Sequence, residues 1–428
     1  MRARFDKWHW KVCAALFTVL FLVLGCKKND PALKSSGLLV GSASAVISPQ
    51  PGMFIAGDRP NRRFTGVHDD LYAKAVYLES DQQVLALITL DCIGLLYPDV
   101  QKIRQRAAAL VNDPRLPPER IIVSSNHIHS GPDVVGIWGP SQGETGLDST
   151  YMDNMLRIAA EQVKRAAEVR REALAYHASG EYGELWVQNI CEPEEIDRSL
   201  TVMQFLDKNG NNIASLTNFA CHPTFFDAVH DEVSADYVGA FYADMSRDLP
   251  GEHLFLQGAI GGWVQPDKGD QSYAIGSQRG RELSAAVKSL LAARKALDST
   301  DLDFRNLVFD LPVSNPGWTQ LAALGVIDRE ISETTRTEVA WFRIGEAQFV
   351  THPGETPPAY SLLSKEWMQT GPRFVLGLGL DAMGYILKPS YFDPSADMPH
   401  AEYLTRMSAG AEAGPTVLEK IRNVIPEK

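Results

Sequence analysis

Ile121-Ile122-Val123-Ser124-Ser125-Asn126-His127-Ile128-His129-Ser130-Gly131-Pro132 reads as a short buried strand that ends in two imidazoles and is stopped by Gly-Pro. β-Branched residues fill its first three positions, which suits a pleated backbone, and proline has no N–H with which to continue a ladder. Alternate residues of an extended segment point to one face, so His127 and His129 are expected to look the same way.

Two other strand-like runs end in a similar manner. Leu216-Thr217-Asn218-Phe219-Ala220-Cys221-His222 meets Pro223, and Phe349-Val350-Thr351-His352-Pro353-Gly354-Glu355 meets Thr356-Pro357-Pro358. Open α/β sheets bind ligands at the carboxyl ends of their strands because the following loops converge there, so the three endings are expected to face one crevice. Taken singly, His222 or His352 before a proline reads as a hydrogen-bonded turn residue. Taken together, two imidazoles and a carboxylate from three strand ends are a donor set that a catalytic zinc takes while leaving a position open.

Working outward, strand-length apolar runs lie near 84–90, 121–124, 213–220, 254–256, 339–344 and 348–351, and helical periodicity near 100–112, 151–171, 237–248, 280–296 and 415–424. The alternation argues an α/β fold. Gly345-Glu346 reads as a hairpin turn, so a mixed β-sheet core flanked by helices is expected. No Pro/Gly/Ser-rich linker and no internal repeat interrupts the chain, and residues 38–428 read as a single catalytic domain.

The chain of 428 residues is 45% hydrophobic and 22% charged, an ordinary globular composition. Arg2, Arg4, Lys7 and Lys11 precede the apolar run 12–24, the layout of an export signal, and a run of that length is too short to span a bilayer. It stops at Val23-Leu24-Gly25-Cys26, which resembles a bacterial lipobox, so residues 1–25 read as a lipoprotein signal peptide and 26–37 as a lipidated tether. Lys27 after Cys26 favours the outer membrane by resemblance to lipoprotein sorting signals. Removing 1–25 takes four basic residues and Asp6, leaving 37 Lys+Arg against 52 Asp+Glu, a balance that repels nucleic acid. Beyond Cys13 and Cys26 only Cys92, Cys191 and Cys221 remain, without CxxC spacing, so any metal must be held by His, Asp, Glu or Tyr.

Several segments together resemble the neutral ceramidases, zinc-dependent amidases, across most of residues 38–425. They are Val40 to Ala43, Gly66-Val67-His68-Asp69 with Leu71-Tyr72-Ala73, Thr89-Leu90-Asp91, the His-x-His-Ser-Gly-Pro run, Asn218 to Pro223, and Pro353-Gly354-Glu355. The resemblance provides no counterpart here for the C-terminal immunoglobulin-like domain of the full-length enzymes. It implies a zinc held by His127, His222 and Glu355, with Tyr385 of Gly384-Tyr385 as fourth ligand and His129 as a nearby donor rather than a ligand. The sequence departs from the family at Gly261-Gly262-Trp263-Val264-Gln265, where Gln265 replaces the nucleophilic serine, and at Ile190, where an arginine is expected.

An amide side chain cannot be the attacking alkoxide. The expectation is therefore a zinc-dependent hydrolase of an amide or related acyl bond in a small-molecule or lipid-like substrate, with zinc-bound water as nucleophile. His129 and Tyr403 would stabilise the oxyanion, and Gln265 would orient substrate. The alternative is an inactive, surface-anchored binding lipoprotein that keeps a structural zinc. The sequence carries no reading of the oligomeric state. From the lipobox-like ending, Cys26→Ser is expected to yield an uncleaved or unlipidated precursor; lipid labelling equal to wild type would refute the anchor.

Overall fold

The apolar runs become strands because each finds partners that cover both of its faces. The computed structural model describes residues 37–81 and 83–427, and the readings on residues 1–36, including Cys26, lie outside the described residues. In chain order the elements are β1 (Leu38–Val46), β2 (Gly66–Val67), β3 (Tyr72–Ser80), β4 (Gln83–Leu90), α1 (Tyr97–Val111), β5 (Ile121–Ser125), α2 (Ser149–Glu168), β6 (Arg171–Glu181), β7 (Val187–Asn189), β8 (Ser199–Asp207), β9 (Asn212–Phe219), β10 (Glu232–Val233), α3 (Asp236–Asp248), β11 (Glu252–Gln257), β12 (Val264–Pro266), α4 (Tyr273–Ala292), β13 (Lys295–Ala296), β14 (Leu302–Pro312), α5 (Pro316–Ala323), β15 (Thr334–Ile344), β16 (Ala347–His352), α6 (Pro358–Trp367), β17 (Arg373–Gly377), α7 (Ala401–Arg406) and α8 (Ala413–Val424).

The main sheet runs β11-β9-β8-β6-β1-β3-β4-β5, with β13 beside β6. The pairs β4–β5 and β9–β11 are parallel and the other pairs along that path are antiparallel. A second sheet, β14-β15-β16-β17, has an antiparallel hairpin at Gly345-Glu346 and a parallel final pair. The architecture is thus a mixed α/β fold, as the sequence implied. Asn218 ties the two sheets together: its Nδ2 donates to the carbonyls of Leu256 and Val375, and its Oδ1 accepts from the Val375 N–H. A buried bidentate pair, Arg104 to Glu338, joins α1 to β15. Among the described residues no helix is long and apolar enough to cross a membrane, and Cys92, Cys191 and Cys221 are free and buried.

Several boundaries differ from the sequence reading, among them the strand read from 339, which begins at Thr334. The helix expected to reach 171 ends at Glu168, and Arg171 opens β6, whose alternating burial marks a strand covered on one face. The helix expected from 280 begins at Tyr273, because the Ser272 hydroxyl accepts the Ile275 N–H and caps it. Strand β1 is hidden in the sequence because Gly41-Ser42-Ala43-Ser44-Ala45 has little strand propensity. Its small residues admit α2: a Cβ on Gly41 would lie 1.9 Å from the Ala166 carbonyl oxygen.

His253 on β11 is buried in a neutral form, its Nε2–H donating to the Leu249 carbonyl at 2.7 Å while Nδ1 meets the Ser215 hydroxyl at 2.7 Å. Burial lowers its pKa from 6.5 to about 4. The unfolded chain therefore takes up this proton first as pH drops, so its contribution is complete above about pH 6.5 and lost toward pH 4, at a cost of about 3 kcal/mol. Urea unfolding of wild type and His253→Gln at pH 7 and pH 4.5 should show the smaller acid loss in the variant; equal losses would refute the assignment.

Candidate functional site

Strand β5 delivers His127 through a left-handed residue, φ +63°, a conformation a non-glycine holds only when its surroundings fix it. Bonds on either side fix it: Asn126 donates from Nδ2 to Asp91 Oδ1 at 2.6 Å and to the Tyr242 hydroxyl at 3.0 Å, and the Ile128 N–H reaches the Cys92 carbonyl. Burial raises the pKa of the Asp91 carboxyl to about 6. Strand β9 delivers His222, whose N–H bonds the Val264 carbonyl at 2.9 Å. Between them sits Gln257, the last residue of β11. Its Nε2 donates to the carbonyls of Asn126 and Cys221, each the residue before a histidine, and its Oε1 accepts from the Cys221 and Gly258 N–H groups.

Strand β16 delivers Glu355. The Glu355 N–H bonds the Gly384 carbonyl and the Ile386 N–H bonds the Glu355 carbonyl, a short parallel bridge that sets Tyr385 beside Glu355. Gly354 permits the close approach, since a Cβ there would lie 2.6 Å from the Gly384 carbonyl oxygen. Gly261 likewise lets the loop that carries Gln265 touch this backbone, its N–H bonding the Thr356 carbonyl.

The three strand ends do converge. His222 Nε2 lies 3.1 Å from Glu355 Oε2, His127 Nε2 lies 3.6 Å from Oε1, and the Tyr385 hydroxyl hydrogen-bonds the same carboxylate. One nitrogen each from His127, His129 and His222 falls within 4.8 Å of the others. His352 stays apart, as a packed core residue: Nδ1 meets the Thr356 hydroxyl at 2.7 Å and Nε2 the Ser364 hydroxyl at 3.0 Å. The tautomers follow from the carbonyls. His127 Nδ1–H donates to Ile93 at 2.6 Å and His222 Nδ1–H to Val264 at 2.7 Å, so in the neutral rings both Nε2 lone pairs face the Glu355 carboxylate.

That arrangement is repulsive unless a proton or cation lies between. Burial drives the His127 pKa down to about 3, against a proton there. Burial alone would raise the Glu355 carboxyl, and it falls below its ordinary value only with positive charge beside it, on His127 and His222 or on a cation between them. Tyr385 is pushed well above 10 by burial and then by the Glu355 charge. Two oriented imidazoles, an ionised carboxylate and a phenol form a donor set that fits a zinc ion.

Around this cluster, Tyr403 is 37% exposed and lies edge-on to Tyr385 at 6.2 Å, while Trp263 stacks on it at 5.4 Å. Gln265 sits in β12 opposite Gln188, one residue beyond the carbonyl that orients His222. His129 has its Nδ1 3.3 Å from Asp227 Oδ2. Sequence reasoning passed over Asn126, Asp227 and Gln257. Gln257 carried a signal, because Leu254-Phe255-Leu256-Gln257-Gly258 is a further apolar strand that ends in a polar residue and a glycine.

Fold and cluster together define a mixed α/β protein with a histidine–carboxylate–tyrosine centre at its strand ends. No protein-family model matches the chain. It is similar to neutral ceramidase A of Dictyostelium discoideum, 23% identical over 236 residues, which is 50% of this chain and 32% of that protein. It is also similar to neutral ceramidase B of that organism, 27% identical over 199 residues, 41% of this chain and 26% of that protein. The matches thus span about a third or less of those relatives' length. Its fold is like that of the neutral ceramidase from Pseudomonas aeruginosa, with a TM-score of 0.73 at 16% identity over 92% of this chain and 74% of that one. A ceramidase complexed with C2 gives 0.74 at 16% identity, over 91% and 75%. By sequence and fold together the chain is a relative of the neutral ceramidases.

Elemental analysis of the purified protein should find about one zinc per chain, since the four groups form a catalytic-type set. His222→Ala should lose most of it and folded His352→Ala should keep it. The reverse pattern would overturn the ligand assignment.

Proposed function

We propose that the protein is a zinc-dependent hydrolase of N-acyl amides or related acyl bonds, acting on a small-molecule or lipid-like substrate. The observation that carries the reading is the pair of Nε2 atoms of His127 and His222 facing the Glu355 carboxylate beside Tyr385. These four residues would hold the zinc. Bound there, it would lower the pKa of a water from about 15.7 toward 7 and supply hydroxide at neutral pH. That chemistry needs no serine, which agrees with Gln265 at the family's nucleophile position.

The chain's own side chains supply the rest. Carbonyls of Ile93 and Val264 keep the histidine lone pairs turned inward. His129 and Tyr403 flank the cluster and are assigned to the substrate oxygen as charge develops on it. Gln265 orients substrate beside them, and the Trp263–Tyr403 stack forms an aromatic flank. Ser272 is not required as a replacement nucleophile, because its hydroxyl already caps α4. In this reading Cys26 carries a lipid that holds the protein on the bacterial envelope, at the outer membrane. The replaced serine also favours a second reading, a binding lipoprotein with a structural zinc.

Turnover of short N-acyl p-nitroanilides and acyl esters separates the two. Activity should vanish with a chelator and return with zinc. Ser277→Ala should be nearly silent, whereas His129→Ala should lower kcat on the order of 10²–10³-fold with zinc still bound. A trapped acyl-serine would end the water reading. A zinc-loaded protein inert to every substrate would favour the binding reading.

A further inference from the structure

Three loops meet behind His129. Arg62 comes from the segment after β1, His129 from the end of β5 and Asp227 from the segment after β9. Gly57, at φ +80°, packs against the ring: a Cβ there would sit 2.5 Å from His129 Nδ1. The Nδ1 edge is therefore enclosed by the Gly57 backbone and the Asp227 carboxylate, whose Oδ2 is 3.3 Å away. Asp227 is itself 12% exposed, and Arg62, 6% exposed, is fixed beside it. Arg62 Nε and Nη2 donate to Asp231, and Nη2 also to the His230 carbonyl, while Nη1 faces Asp227 Oδ1 at 3.9 Å.

A lone pair at Nδ1 would face a carboxylate oxygen and be repelled, so the proton belongs on that nitrogen. We propose that Asp227 is the positioning residue of His129, taking its Nδ1–H and thereby presenting Nε2 to the substrate, with Arg62 as the fixed charge that holds Asp227 in place. The proposal rests on the hydrolase reading above for its consequence, not for its geometry. Burial alone would raise the Asp227 carboxyl, but His129, then Lys268 and Arg62, hold it below the ordinary carboxylate range. A ring anchored at Nδ1 by an anion is held in one orientation, with its Nε2 edge turned away from the Asp227 side. The 3.3 Å contact is not in line for a hydrogen bond, because both His129 nitrogens are buried without a hydrogen-bond partner. Such contacts commonly tighten only in the substrate complex.

The test uses the zinc-loaded full chain with ¹⁵N-labelled histidine, and a short N-acyl p-nitroanilide as substrate. His129 is assigned by the signals missing from His129→Ala. In wild type its Nδ1 should show the shift of a protonated nitrogen. Asp227→Asn should change the His129 pattern, leave the other rings and the zinc content as they were, and lower kcat about 10- to 100-fold with KM unchanged. Asp227→Glu should recover part of that loss, and the His129→Ala, Asp227→Asn double variant should be no slower than His129→Ala alone. Unchanged His129 signals in Asp227→Asn would overturn the proposal, as would loss of zinc, which would make Asp227 a support of the metal. If wild type hydrolyses no substrate, the hydrolase reading fails while the ¹⁵N pattern still decides whether Asp227 holds His129.

Discussion

One buried amide holds this site together. Gln257 offers two donors and an acceptor, and spends them on Asn126, Cys221 and Gly258. Strands β5 and β11 stand at opposite ends of the main sheet's pairing order, yet this side chain bonds across them. Strand β9 is caught in the same grip through Cys221. Because the two carbonyls it holds belong to the residues before His127 and His222, the spacing of the two rings is set by a single fully buried side chain. A buried amide is costly to leave unpaired, which makes the geometry rigid as well as specific.

Rigidity is needed because the site is electrostatically unfavourable in itself. Two imidazole lone pairs point at a carboxylate, His127 holds a left-handed backbone, and Tyr385 is buried next to an anion. None of these would persist in a loosely packed loop. Each is held by bonds further out: Asp91 and Tyr242 on Asn126, the Ile93 and Val264 carbonyls on the rings, and the Gly354–Gly384 approach beneath Glu355. Strain at a site with such support marks a place organised to receive a partner that removes the repulsion.

In the proposed reading, Gln265 at the family's nucleophile position would change the chemistry without altering the cluster. Its neighbour Val264 orients His222, and Trp263 packs on Tyr403. The backbone of this segment serves the cluster through the Val264 carbonyl, while the Gln265 side chain makes no contact with the donor set. A substitution there can alter the nucleophile while leaving the donor set alone.

Much of the site could be read from the sequence because chain-local rules apply to it. The breakers Pro223 and Pro353 marked two strand ends and the period of apolar residues the α/β class, whereas His127 and His129 meet through the left-handed backbone of His127 beyond β5 and not through the alternation expected of an extended segment. Similarity of motifs supplied Tyr385, which no local pattern distinguishes from a core aromatic. What the sequence could not decide was which histidines meet. His222 and His352 both precede a proline at a strand end, yet only His222 reaches Glu355; His352 is enclosed between Thr356 and Ser364. Strand β1, poor in strand-forming residues, exists because α2 packs on its small side chains, and Asp227 approaches His129 only through the folding of separate loops. Strand ends are marked by neighbours in the chain, whereas convergence depends on sheet order and on buried bonds such as those of Gln257, whose partners lie 36 and 131 residues away.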